Sequence, residues 1–230
     1  MVIRSRLNSL LFRGLAFSCT LILIIIAFIY GKSDSELIGR FGIQAALLVC
    51  FAFFLKAIFN AVDLKRHGNP GAPAGLWMPL SLAILSFNLF SGIIYFSYVY
   101  PNDTIKDPIL TSLFAVAPIL ALIDYLLFEE KGTVKKSYPL YWSFYPLFFG
   151  VFTLIGPLYK PENSFPDTFF DSAHFQITAT ANWMSGNAGW NGVSFFSLIF
   201  LFAFIALSFL LVFFNDLVGG RFKKTAKDTV

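Results

Sequence analysis

The chain has 230 residues, 57% of them hydrophobic and 13% charged, with a formal net charge of +4 and a mean hydropathy of +0.71. A soluble domain carries roughly a quarter of its residues as charges, so this balance excludes a water-soluble globular fold. The positive charge does not point to nucleic acid, because the basic residues stand at the ends of apolar runs and form neither a groove nor a zinc-type spacing.

Six apolar runs follow one another in the chain, at about 15–30, 41–60, 76–100, 109–128, 139–158 and 193–216. A hydrocarbon core of roughly 30 Å needs about 20 apolar residues at a helical rise of about 1.5 Å. The runs are continuous rather than alternating, which predicts helices and not a barrel. The expected fold is therefore an all-α integral membrane protein, one bundle of six transmembrane helices forming a single domain over 1–230. The first run follows Arg4, Arg6 and Arg13 and so imitates a secretory leader, but Tyr30-Gly31-Lys32 is not a small-x-small cleavage site, and the run reads as a spanning helix. Cys19 and Cys50 both lie in apolar runs and read as small apolar side chains rather than a disulfide or metal pair.

Counting Lys and Arg by side gives orientation. The amino terminus, the second and fourth connectors and the tail carry 12, whereas the opposite side carries 4 (Lys32, Arg40, Lys106 and Lys160). The positive-inside rule then places both termini in the cytoplasm. The second connector, Asn69-Pro70-Gly71-Ala72-Pro73-Ala74-Gly75, is a turn-forming cluster. The fifth, 159–192, is the longest and is expected outside; its Trp183 and Trp190 read either as interfacial anchors or as part of a functional loop. The 30 phenylalanines read as lipid-facing and packing residues.

A charge at bilayer depth costs about 2.5–3.5 kcal/mol on the insertion scale, so each one calls for a partner or a purpose. Lys56 and Asp124 are the two that stand out, each about one turn from the cytoplasmic end of its predicted span. Either they pair, or Lys56 snorkels to the headgroups while Asp124 is wetted at the interface. Gln44, Asn88 and Tyr95 are neutral polar residues inside spans, where interhelical hydrogen bonding is the expected role. Ser91-Gly92 with Tyr95 marks an expected close crossing, and Pro118 and Pro146 are expected to kink their helices. In the outer loop, Asp167, Asp171 and His174 would share one face of a helix, a candidate acid-base or metal cluster; three ligands on one short helix rarely complete a site, and no metal or cofactor is expected.

Three segments carry a resemblance. Ser91-Gly92-Ile93-Ile94-Tyr95, the run from Phe114 through Pro118 and Asp124 to Phe128, and Tyr141-Trp142-Ser143-Phe144-Tyr145-Pro146-Leu147 resemble the bacterial six-helix relatives of the androgen-induced membrane hydrolases. The resemblance implies six helices with cytoplasmic termini. It also implies, for the eukaryotic members, a threonine near the start of the second helix and a histidine in the fourth that cleave esters between fatty acids and hydroxy fatty acids. The corresponding positions here are Gly42 and Phe114, which supply neither a nucleophile nor a base.

The expected function is that of a non-catalytic multi-pass protein of the bacterial cytoplasmic membrane, binding lipid or a membrane protein partner and no nucleic acid. Two alternatives stay open. One is a lipid or ester hydrolase using Asp124, His174 or a loop carboxylate; the other is a small transporter or channel subunit gated by Lys56 and Asp124.

Overall fold

The computed structural model describes residues 3–30, 41–100, 107–132, 134–159 and 190–227. Among them every regular element is helical: α1 (Arg6–Tyr30), α2 (Phe41–His67), α3 (Met78–Ile94) continued by a π turn (Tyr95–Val99), α4 (Pro108–Phe128), α5 (Tyr138–Trp142), α6 (Phe144–Tyr159) and α7 (Trp190–Lys227). Among the described residues, five helical stretches are long and apolar enough to cross a membrane: Arg6–Tyr30, Phe41–His67, Met78–Ser97, Pro108–Phe128 and Ser197–Gly219.

Three helices overrun the spans expected from hydropathy: α7 continues to Lys227 rather than ending near residue 216, and the overruns of α1 and α2 are rich in polar residues. The first helix begins at Arg6 rather than near residue 15, because the Ser5 hydroxyl accepts a hydrogen bond from the Asn8 N–H (3.3 Å) as an N-cap. The second continues to His67 rather than ending near residue 60. Gly68 stops it at φ +72°, a left-handed conformation open to glycine, and its N–H bonds the Leu64 carbonyl (2.9 Å). These overruns clasp each other. Arg6 donates to Asp63 Oδ2 (2.6 Å) and to the carbonyls of Gly68 and Pro70, and the Ser5 hydroxyl donates to Asn69 Oδ1 (3.0 Å). Polar turns that hydrocarbon would reject are thus satisfied by one another.

The expected span at 139–158 is divided into α5 and α6 at Ser143. Pro146 explains the division: it has no N–H for the Trp142 carbonyl and its ring crowds that oxygen, so the regular ladder stops at Trp142. Pro118 lies inside α4 without dividing it. Its partner is Gly92, where an added Cβ would sit 3.1 Å from both the Phe114 carbonyl oxygen and Pro118 Cγ, so the expected close crossing at Ser91-Gly92 is present between α3 and α4. At the start of α4, Asp107 Oδ1 accepts from the N–H groups of Ile109 (2.8 Å) and Leu110 (3.2 Å), with Pro108 in the first turn.

The charge-free α3 is the most enclosed helix, with every residue from Ser81 to Asn88 buried. It packs on α2, α4 and α7. Phe87 of α3 stacks on Phe204 of α7 (centroids 5.4 Å apart), and Phe41 meets Phe87, Phe90, Tyr145 and Phe149. On α1 the buried residues Ser9, Arg13, Ala16, Thr20, Ile24 and Ala27 recur every three or four positions, a seam of mostly small side chains facing α2 and α4. Leu15, Ile29, Phe202 and Phe213 point outward, an arrangement suited to a hydrocarbon medium and adverse in water.

The connector after α4 is pinned to α7 by backbone. A Cβ on Gly219 would lie 2.5 Å from Gly132 Cα and 2.7 Å from Gly132 N. No side chain is available to yield, so Gly219→Ala is expected to lower stability by about 1 kcal/mol, overpacking outweighing the better helix propensity of alanine. Thermal unfolding in detergent, followed by tryptophan fluorescence, would read this as a lower midpoint.

Candidate functional site

The most unusual feature of the bundle is four ionised side chains buried together. Arg13 is fully buried and Asp124 is 1% exposed. Arg13 Nε donates to Asp124 Oδ1 (2.6 Å), and Lys56 Nζ donates to Asp124 Oδ2 (2.8 Å) and to Glu129 Oε1. Arg13 Nη1 also donates to the Ala74 carbonyl, tying the second connector to the same point, and its guanidinium lies 5.9 Å from the centre of the Phe128 ring. Two cations and two anions leave the cluster neutral, which is the condition for holding charge in a poorly solvated interior.

Each member is placed by its helix. Arg13 lies in the α1 seam, two turns inside a helix that starts at Arg6. Lys56 is followed by three further turns of α2, so it is not one turn from the helix end, as the predicted span implied. Asp124 is about one turn before the end of α4. They still meet because α2 extends past the end of α4. Asn60, one turn beyond Lys56, donates to the Ser9 hydroxyl (3.0 Å), and Asp63 follows with Arg6 and with His67 Nδ1 (2.7 Å), so the α1–α2 seam continues as a polar ladder toward one end of the bundle.

Of the residues singled out in the sequence, the structure brings Lys56 and Asp124 together. Arg13 and Glu129 are not singled out there: Arg13 counts as a flanking charge, and Glu129 falls just past the predicted span 109–128. The signal for Arg13 was present in the three-four spacing of Ser9, Arg13, Ala16 and Thr20, which makes it a seam residue. With Arg13 inside the bundle, the expected count of flanking basic residues becomes 11 against 4 rather than 12 against 4, which leaves the expected charge asymmetry intact.

The neutral polar residues join helices. Gln44 Oε1 accepts from the Tyr145 hydroxyl (2.7 Å), Asn88 Nδ2 donates to the Ala45 carbonyl (2.8 Å), and the Tyr95 hydroxyl pairs with Thr111 Oγ1 (2.9 Å). Gly42 and Phe114 face each other across the α2–α4 crossing. A Cβ on Gly42 would lie 2.1 Å from Phe114 Cε1 and 2.7 Å from Ser91 Oγ. The Phe114 ring is itself held against Tyr95, with centroids 4.4 Å apart. Asp167, Asp171 and His174 lie outside the described residues. Among the described residues no three His, Cys, Asp or Glu side chains gather as a metal site.

Lys131, just beyond α4, closes the edge of the charged cluster. Its ammonium donates to the carbonyls of Tyr125 and Glu129 and lies 3.9 Å from the centre of the Tyr125 ring, capping a helix C-terminus with positive charge. Burial pushes its pKa down to about 8, a shift that Lys56 reinforces and that Glu129 and Asp124 oppose. The unfolded chain therefore holds this proton over a range where the folded chain has released it. The contribution of this group to stability should rise with pH between about 8 and the ordinary lysine value of 10.5. Unfolding midpoints measured across that window should show the rise in the parent protein and lose it in Lys131→Met.

No family model, curated protein or solved structure matches this chain.

Proposed function

We propose that this chain is a non-catalytic multi-pass protein of the bacterial cytoplasmic membrane, with both termini on the cytoplasmic side, that binds lipid or a membrane protein partner through its helix faces. The observation that carries this reading is the packing at Gly42. The resemblance to the androgen-induced membrane hydrolases would put a threonine and a histidine at positions 42 and 114; here a glycine and a buried aromatic ring occupy the same crossing, where even a Cβ at position 42 would lie 2.1 Å from the ring. The neutral ion cluster supports the reading too, since each of its charges is spent on another helix. The outward-facing leucine, isoleucine and phenylalanine side chains supply the lipid-contacting surface.

The test uses full-length protein purified in its native lipids. Lipid mass spectrometry is expected to find a defined phospholipid retained after exhaustive detergent exchange, and esters of hydroxy fatty acids are expected to remain intact. Ester turnover that disappears in His174→Ala would replace this reading with a hydrolase. Cysteine-labelling maps that put the two termini on opposite faces would overturn the topology.

A further inference from the structure

Beside the ion cluster, between α2, α3 and α4, lies a small cavity of about 10 Å³ walled by Lys56, Ser81, Asp124, Tyr125 and Glu129 together with apolar side chains. That is about the room one water needs. Two polar atoms at its wall are buried without a hydrogen-bond partner: Ser81 Oγ and Glu129 Oε2. Their residues are 6% and 5% exposed, so bulk water does not serve them. Such orphans are rare, and each costs about 1–3 kcal/mol if left unmade.

We propose that this cavity is the binding site of one internal water molecule, which donates to Glu129 Oε2 and exchanges a hydrogen bond with the Ser81 hydroxyl. A third partner is at hand. Lys56 uses one N–H on Asp124 and one on Glu129 Oε1, and the last of its three can donate to the water oxygen. Three partners are the usual complement of a buried water. A metal cation does not fit the same space: Lys56 and Arg13 already neutralise both carboxylates, so a third positive charge would be placed against the ammonium. The consequence is structural. The central helix α3 carries no charge, and Ser81 through this water is its hydrogen-bonded link to the cluster that holds α1, α2 and α4.

Two measurements on the full-length protein test this. The first is a density map at a resolution that shows ordered waters, in which a peak is expected within hydrogen-bonding distance of both Ser81 Oγ and Glu129 Oε2. Empty density there, or an anomalous peak in crystals grown with rubidium in place of sodium, overturns the proposal. The second is a double-mutant cycle with Ser81→Ala and Glu129→Gln, read as the unfolding equilibrium constant in mixed micelles. The two side chains make no direct bond, so a dry cavity predicts additive effects. A bridging water predicts that Ser81→Ala is at least about twofold less damaging in the Glu129→Gln background than in the parent. Additivity would sink the bridge even where both variants are less stable than the parent.

Discussion

Asp124→Leu is expected to destabilise the fold by about 3–5 kcal/mol, because it removes the shared partner of two buried cations at once. Arg13 would lose its carboxylate while fully buried, and Lys56 would keep only Glu129. The size of the loss comes from stranding charge rather than from the attraction itself. Arg13→Met combined with Asp124→Leu should therefore recover a large part of it, since the remaining Lys56–Glu129 pair is neutral and the guanidinium no longer needs a partner. Unfolding in mixed micelles would measure both variants. If the double variant is as unstable as the two singles added together, the cluster is not the electrostatic clasp described here.

The second large effect is at Gly42. Placing threonine there sets two opposing terms against each other: glycine in a helix interior costs about 1 kcal/mol relative to alanine, a penalty that β-branched threonine only partly relieves, whereas overpacking a tight core costs about 1–3 kcal/mol. The geometry decides for the second, because a Cβ at 2.1 Å from the Phe114 ring and 2.7 Å from Ser91 Oγ is inside any real contact distance. Phe114 cannot swing away freely while it is buried against Tyr95. Gly42→Thr is expected to lower stability by about 3 kcal/mol. Adding Phe114→Ala should restore much of the loss by vacating the space. A Gly42→Thr variant as stable as the parent would mean that the two residues do not share this crossing.

The positions of the helices were legible because hydropathy sums over some twenty residues, and a sum that long survives local exceptions. The ends were not. Hydropathy placed the start of the first helix near residue 15 and the end of the second near residue 60, since it scores Arg6, Arg13, Asp63 and Lys65 as departures from the membrane. The chain instead carries helix through those residues, pairing Arg6 with Asp63 across the α1–α2 seam and Arg13 with Asp124 of α4. Lys56 and Asp124 were visible as charges in apolar runs. Glu129 was invisible for the opposite reason: a carboxylate beside Glu130 and Lys131 looks like a solvated connector, and only the fold turns it inward. The break at Ser143 was half legible, with Pro146 marking a kink but not the loss of a single continuous crossing.

Arg13 and Asp124 are 111 residues apart in the chain. At about 5–20 residues per second, a ribosome that has just added Arg13 needs roughly 6–22 s to deliver its counter-charge. In a membrane-inserted chain the first hydrophobic segment bears an unneutralised guanidinium throughout that interval and has reason to linger at the headgroups, where water can solvate it. Final seating of the earliest segment in such a membrane-inserted chain then waits for α4, and a chain cut short before Asp124 would present quality-control proteases with a poorly anchored amino terminus.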